Sequence, residues 1–331
     1  MEIAKELKAD LPATTWGKIL GATPIVMTVI ATVLAGLASS EMTRAQYDRS
    51  LAAELQSKAS DQWNLFQAKK LESVVQNDVL DLMESTQNLQ AVDAAALDRA
   101  ATDTSGSAPE RDQLRVILAD PAARQSLDLF QRGVLPAQVQ SGGYPPKIAA
   151  VVAAIQGGRD ETEIDRLLAD IPSPDIADAM RAANARSQAL DAVLAPVNLA
   201  IAGAEGPVKG LLRRLRADSA AETGLVQRTA TLSRDFAAQR LRYTALRYQA
   251  EARLNQDIAN LFELQLRKAN VSADRHHGRS QHFFLGMLAA QMAVVVATFS
   301  LAARKRNLLW GIAAFAGLSA AAFAGYVYLF T

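Results

Sequence analysis

The chain has 331 residues, of which 50% are hydrophobic and 21% are charged. Its 35 basic and 34 acidic side chains give a formal net charge of +1, which excludes a general electrostatic attraction for nucleic acid. Cysteine is absent, so disulfides, thiolate metal sites and cysteine nucleophiles are excluded as well.

Charged residues are absent from three stretches, 19–40, 280–303 and 307–331. Each stretch is long enough to cross a bilayer, so we predict transmembrane helices at 19–40, 280–303 and 308–330. The first is expected to be an uncleaved anchor, because the leader 1–18 is long and carries acidic residues, unlike a signal peptide.

The last two predicted spans are joined by a short basic loop, residues 304–307. Its cations Arg304, Lys305 and Arg306 are the topology determinants under the positive-inside rule, which places this loop and the segment 1–18 in the cytoplasm. Residues 41–279 are then expected to be extracytoplasmic. Bases also crowd the other end of the second span, but long loops translocate largely regardless of charge.

Two segments flanking the spans, 41–93 and 223–279, are predicted to be long helices. The first contains no Pro or Gly. Each carries apolar residues at near-helical spacing. These are Tyr47, Leu51, Leu55, Phe66 and Val74 in the first, and Leu232, Phe236, Tyr243, Ala250, Leu254, Ile258 and Leu261 in the second.

The two segments have opposite charge. Residues 41–93 hold nine acids and five bases, and residues 223–268 hold eight bases and four acids. We therefore predict that they pair as an antiparallel coiled-coil hairpin, a stalk whose apolar stripes supply most of the stability.

Residues 94–222 contain clusters of Gly, Pro and Ser, including Gly203 to Pro207, between short apolar-periodic pieces. We interpret them as a small all-α insert of about five or six helices at the tip of the stalk. The predicted fold class is thus an all-α membrane protein.

Two stretches carry a family resemblance: SDQWNLFQAKKLES, from Ser60 to Ser73, and the block from Arg275 to Gly311 with its double His and basic hairpin loop. Together they resemble the bacterial domain of unknown function 4337 family. The resemblance implies one N-terminal span, a charged helical segment and a C-terminal two-span hairpin, and it implies no activity. The insert 94–222 departs from shorter members.

The string around Trp63 contains the first set of interaction candidates. A tryptophan among amides and charges is typical of an interface anchor, and the alternative is a Trp packed on the opposite helix near residues 254–262. The set is Asp61, Gln62, Trp63, Phe66, Gln67 and Lys70.

The predicted spans contain the second set. Gln291 needs a hydrogen-bond partner in hydrocarbon, which Thr28, Thr32 or a neighbouring protomer could supply. The small residues Gly317, Ala321 and Gly325 recur every four positions and allow close helix approach, either within the three-helix bundle or between subunits.

The three histidines, His276, His277 and His282, fall together before the second span. Metal binding and pH sensing are the alternatives to anchoring at the membrane interface, but their helical spacing points the three side chains in different directions. The sequence has no HExxH, GxSxG or GxGxxG motif, so we expect no enzymatic activity, no cofactor and no small-molecule substrate.

These features favour a non-enzymatic scaffold or accessory protein of the bacterial inner membrane that binds itself or other membrane proteins. The alternative function is a membrane sensor or transducer with an extracytoplasmic helical domain.

Overall fold

The computed structural model describes residues 15–102, 108–140, 143–218, 221–302 and 306–330. Within these ranges every regular element is an α-helix, and none is a strand. The predicted all-α fold class is confirmed.

Ten helices follow one another along the described residues. They are α1 (Thr15–Thr86), α2 (Ala94–Thr102), α3 (Pro109–Ala119), α4 (Pro121–Arg132), α5 (Ala137–Gln140), α6 (Pro146–Gln156), α7 (Glu161–Ala169), α8 (Ser173–Ala217), α9 (Thr223–Ala302) and α10 (Arg306–Phe330).

Helix α1 continues without interruption from the apolar stretch 19–40 into the charged segment that follows. It ends at Thr86, earlier than the predicted limit of residue 93. The Asp93 carboxylate accepts a hydrogen bond from the backbone N–H of Ala96 in the first turn of α2. An aspartate in this position favours the start of a new helix, and residues 87–93 connect α1 to α2.

Helix α8 corrects the interpretation of Gly203 to Pro207 as a helix break. The helix runs through both Pro196 and Pro207, and Pro207 is buried. Each proline removes one backbone hydrogen bond, which core packing around it offsets here. A Cβ atom at Gly203 would lie 3.0 Å from Ile117 Cδ1, so this glycine allows α3 to approach closely. Local breaker signals were outweighed by tertiary contacts.

Among the described residues, four helical segments are long and apolar enough to cross a membrane: Gly21–Thr86, Ser173–Ala217, Thr223–Ser300 and Leu308–Val327. Three of them overlap the predicted spans, and the fourth is α8. Several long apolar helices of this kind are compatible with a membrane protein.

Two compact units divide the chain. The terminal unit comprises Met1–Leu55 and Leu266–Thr331, and the central unit comprises Gln56–Gln265. Both α1 and α9 contribute one part to each unit.

The core of the central unit is built from large side chains. The ring of Phe130 lies 4.9 Å from that of Phe236 and 6.0 Å from that of Tyr243, and all three are buried. A second cluster joins α6, α7, α8 and α9. It includes Ile148, Ile164, Ile171, Ile176 and Leu261.

The core of the terminal unit is built mostly from small side chains. Ala31 and Ala38 of α1, Ala290 of α9 and Ala320 of α10 are buried in one cluster, beside Leu34, Phe283 and Val327. Alanine at these positions lets helix backbones approach one another closely.

Candidate functional site

Trp63, the centre of the first predicted interaction set, is half-buried against α9. Its indole N–H donates a hydrogen bond of 2.7 Å to Oε1 of Glu263. The edge of the ring meets Phe66 at a centroid distance of 5.4 Å. The indole therefore already has a hydrogen-bond partner within the central unit. That partner, Glu263, lies one residue after the range 254–262 that the sequence analysis gave for the packing alternative.

The other members of this set divide between two environments. Asp61, Gln67 and Lys70 are exposed, and Gln62 is half-buried. The Lys70 ammonium lies 5.7 Å from the centre of the Phe66 ring, in cation–π geometry. The structure thus brings Trp63, Phe66 and Lys70 together and leaves Asp61 and Gln67 apart from them.

An ion-pair network beside this group was missed by the sequence analysis. Lys69 Nζ lies 3.0 Å from Glu72 and 3.2 Å from Glu251, and Glu251 also accepts a hydrogen bond of 2.7 Å from Arg247. Arg247 in turn lies 4.0 Å from Asp191 of α8. The network therefore joins α1, α9 and α8.

The protonation of Lys69 reflects this network. Burial opposes its positive charge, but hydrogen bonds and charges from Glu72 and Glu251 outweigh burial, so the pKa of Lys69 is raised above its ordinary value. The sequence analysis treated residues 41–93 as one acidic segment. It therefore did not distinguish Lys69, a single base in that segment, as part of an ion-pair network.

The ion pairs between α1 and α9 have both polarities. Glu84 pairs with Arg242 at 2.8 Å, which is the polarity that the net charges of the two segments suggest. Lys69 with Glu251 is the reverse. Within the terminal unit, Arg49 and Asp274 are also reversed, at 3.8 Å. The net charge of each segment therefore does not predict which residues of α1 and α9 form ion pairs.

A polar cluster lies where the apolar part of α1 meets its charged part, within the terminal unit. His276 Nδ1 and Glu41 Oε2 lie 2.5 Å apart, and Arg44 lies 3.3 Å from the same carboxylate. The buried Ser280 hydroxyl donates a hydrogen bond of 2.8 Å to the carbonyl of Ala38. These contacts fix α9 against α1.

The three histidines have separate partners. His277 Nε2 lies 3.0 Å from the Gln281 amide, and the ring of His282 meets Phe323 edge-on at 5.7 Å, whereas His276 pairs with Glu41. Within the described ranges no three His, Asp or Glu side chains converge as metal ligands.

The predicted small-residue stripe of α10 is split by the fold. Gly317 is buried, and a Cβ atom there would lie 2.0 Å from Met27 Sδ of α1, so this glycine serves a contact inside the chain. Ala321 and Gly325 are exposed, and a Cβ atom at Gly325 would meet nothing within 4 Å.

Gln291 is exposed on α9. The hydroxyls of Thr28 and Thr32, its predicted partners, donate to carbonyls of their own helix, those of Pro24 and Thr28. The structure therefore does not pair the Gln291 amide with either threonine.

The topology determinants cannot be placed. Arg304 and Lys305 lie outside the described residues. Arg306 begins α10, but its side chain is not described.

A cleft of about 620 Å³ lies in the central unit between α2 and the start of α9. Its rim carries Arg99 and Arg228 together with Asp93 and Asp235. Because the lining carries both positive and negative side chains, it does not favour an anionic over a cationic ligand.

These observations define the class of the protein. It is an all-α chain with several long apolar helices and with polar contacts between helices. The model of the family described as Domain of unknown function (DUF4337) matches residues 17–117. The resemblance is thereby confirmed, and the match includes the string from Ser60 to Ser73, while the block from Arg275 to Gly311 lies beyond it. No curated protein and no solved structure matches the chain.

Proposed function

We propose that this chain is a non-enzymatic interaction or scaffold protein of the bacterial inner membrane. Three helices, 19–40, 280–303 and 308–330, would anchor it. The finer architecture is part of the same proposal: a long antiparallel helical hairpin stalk, an all-α insert at its tip, and an extracytoplasmic location for residues 41–279.

The burial pattern of the terminal unit is the observation that carries the membrane assignment. Its buried positions are mostly alanine, whereas its exposed positions include many large apolar side chains. Examples of the exposed set are Val29, Val33, Met292, Phe299, Phe315 and Leu318. In water such a surface would drive aggregation, while hydrocarbon solvates it, and small residues inside favour helix packing in a bilayer.

Helix α8 is assigned to the protein core in this proposal, although it is long and apolar. Its residues Leu194, Ile201 and Val208 are buried in the cluster that contains Phe130. Its acid Glu205 lies 3.4 Å from Arg240 of α9. A helix whose apolar side is covered by protein has little left for lipid.

Gln291 supports the interaction role. Its amide is exposed between the apolar residues Leu288, Met292 and Val295, which are exposed as well. In hydrocarbon an amide needs a partner, and another transmembrane helix can supply one. We infer that this face of α9 meets a second copy or another membrane protein.

Polar groups in the interior support a structural rather than a catalytic use. Ser280 bonds α1, Glu251 joins Lys69 to Arg247, and the Gln239 amide donates 2.6 Å to the carbonyl of Phe130. The contacts of Ser280 with α1, of Glu251 with Lys69 and of Gln239 with Phe130 each join two different helices, while Arg247 and Glu251 pair within α9.

Assembly is tested on the full-length protein in mild detergent by mass photometry and mass spectrometry of co-purified proteins. We expect a complex that Gln291→Leu weakens and that the matched change at the next position, Met292→Leu, leaves intact. A wild-type monomer that co-purifies with nothing would exclude the interaction role. If the protein is instead a sensor, we expect a monomer whose contacts between helices change when a ligand is added.

Topology is tested by single-cysteine labelling, because the chain has no cysteine of its own. Val116, which is exposed, and Asn307 are replaced in separate variants. With an impermeant maleimide on intact cells, we expect label at 116 and none at 307. The opposite result reverses the orientation.

A further inference from the structure

The exposed large apolar side chains of the central unit are concentrated on one stretch of α1. Among its described residues, six of nine such side chains lie between positions 65 and 82. The three others, Val116, Val134 and Leu199, are scattered. We name the six the outer seam: Leu65, Leu71, Val74, Val75, Val79 and Leu82.

Apart from Leu65, which lies at its edge, the outer seam lies on the side of α1 that faces away from the core of the unit. At about 100° per residue, Leu71, Val75 and Leu82 fall within roughly 40° of one direction. Ser73 and Leu80, which are buried, fall on the opposite side. Helix α1 therefore has two apolar faces, and only one is covered by described residues.

The spacing along the outer seam is that of a helix-packing surface. Positions 64, 68, 71, 75, 78, 82 and 85 alternate steps of four and three, as in a heptad repeat. Ala68, Leu71, Val75 and Leu82 occupy four of them, and the polar residues Asn64, Asp78 and Ser85 occupy the other three. The remaining seam residues, Leu65, Val74 and Val79, lie beside this row. Such a pattern accepts knobs from a second helix, with one acid inside the contact.

The charge of the outer seam selects the kind of helix. Asp78 and Asp81 are exposed, and no hydrogen bond or ion pair joins either to another described residue. Glu72 is held by Lys69, and Lys70 lies over the Phe66 ring. A parallel second copy would bring Asp78 against its own equivalent, so a helix with a basic residue opposite Asp78 fits better.

We propose that the outer seam binds an amphipathic helix of a partner protein, with an apolar stripe flanked by lysine or arginine. This inference rests on the proposed interaction role and names the chemistry of the partner. Burial of the leucines provides affinity, and the acids exclude helices with acidic flanks.

The test uses the full chain in nanodiscs of phosphatidylcholine and two synthetic helical peptides. Both carry leucine at heptad positions; one has lysine flanks and the other glutamate flanks. Fluorescence anisotropy, corrected with empty nanodiscs, gives each affinity. We expect the lysine peptide to bind at least about tenfold more tightly, a preference that weakens with salt.

Matched variants identify the surface. Leu71→Gln with Leu82→Gln should weaken lysine-peptide binding by about tenfold or more. Val116→Gln with Leu199→Gln should not, although those side chains are 71% and 73% exposed against 65% and 63% for the leucines. Asp78→Lys with Asp81→Lys should reverse the peptide preference. Circular dichroism checks that helix content is unchanged.

Three results would overturn the inference. They are equal binding of both peptides, binding that the leucine variant leaves unchanged, and a wild-type dimer that the leucine variant dissociates, which would make the occupant a second copy. Purification from native membranes separates this from the broader proposal. If a protein co-purifies equally with the wild type and the leucine variant, the outer seam is wrong and the interaction role stands. If the wild type is a monomer and no protein co-purifies with any form, the interaction role fails.

Discussion

The terminal and central units place their large apolar side chains in opposite ways. In the terminal unit, Phe299 and Phe315 are exposed while alanines fill the interior. In the central unit, Phe130 and Phe236 are fully buried and exposed apolar residues are few outside the outer seam. This difference is what the proposed membrane anchoring predicts: large apolar side chains are buried away from water in the central unit and would face hydrocarbon in the terminal unit.

The largest expected effect comes from removing a buried aromatic ring of the central unit, and removal of an exposed ring of the terminal unit is the matched comparison. Phe130→Ala leaves a cavity beside Phe236 and Tyr243 and should cost about 3–5 kcal/mol of unfolding free energy. Phe315→Ala removes a side chain that is 74% exposed and should cost less than about 1 kcal/mol in a lipid nanodisc. Denaturant titration with hydrogen exchange measures both. Equal costs would contradict the assignment of different solvents.

A smaller effect is expected at the glycines of α10. Gly317→Leu must displace Met27, which is buried, and should cost about 1–3 kcal/mol through overpacking. Alanine at 317 should cost less, because the nearest atoms are the flexible end of Met27. Gly325→Leu serves as the matched control, because a Cβ atom at Gly325 would meet nothing within 4 Å. Thermal unfolding in nanodiscs should separate the two leucine variants.

Tyr243 allows a stabilising change in the core of the central unit. Its hydroxyl is buried and has no hydrogen-bond partner among the described residues. Tyr243→Phe should therefore raise the unfolding free energy by about 1 kcal/mol, since an unsatisfied polar group is removed. A decrease measured by denaturant titration would indicate a partner for this hydroxyl.

The same substitution has a pH signature. Burial raises the pKa of Tyr243 from 10.0 to about 12. The folded state holds the Tyr243 proton more tightly than the unfolded state does. The stability linked to this proton is therefore fully present below pH 10 and is lost as the pH rises towards 12. Tyr243→Phe should make the alkaline loss of stability shallower. It should not abolish the loss, because burial also raises the pKa of Tyr144.

The smallest effect is expected for an ion pair on the surface of the central unit. Glu84 and Arg242 lie 2.8 Å apart, but both side chains are about half exposed. Glu84→Gln should change the unfolding free energy by less than about 1 kcal/mol, and added salt should reduce even that. A larger loss would mean that this pair is as important as the buried rings.

Uncharged stretches and the scarcity of helix breakers were sufficient to predict most of α1, α9 and α10, but not α8, which runs through two prolines. Uncharged stretches located the apolar parts of α1, α9 and α10. Of the apolar stripe predicted for α9, five residues are buried, including Phe236, Tyr243 and Leu261, and Ala250 and Leu254 are half-buried. These signals are local or strictly periodic, so they can be detected in a single sequence without knowledge of the tertiary contacts.

The apolar stripe predicted for α1 was wrong in part. Tyr47 and Val74 are exposed, and the buried side carries Ala52, Ala59 and Ser73 instead. A helix with apolar residues on two sides has no single hydrophobic direction, and small residues on the inner side carry little weight in a hydropathy pattern. The outer seam was missed for this reason.

The pair of glycines in α8 has a consequence for relatives of this chain. Gly203 and Gly210 lie two turns apart, and Cβ atoms there would lie 3.0 Å from Ile117 and 2.9 Å from Glu110, both in α3. The family match ends at residue 117, inside α3, before the helix that these glycines shape. Any relative that keeps α3 but lacks α8 must shield Leu114, buried here, with some other segment or another chain. Glycines seven residues apart, downstream of a matching α3, would therefore mark homologues that share this insert.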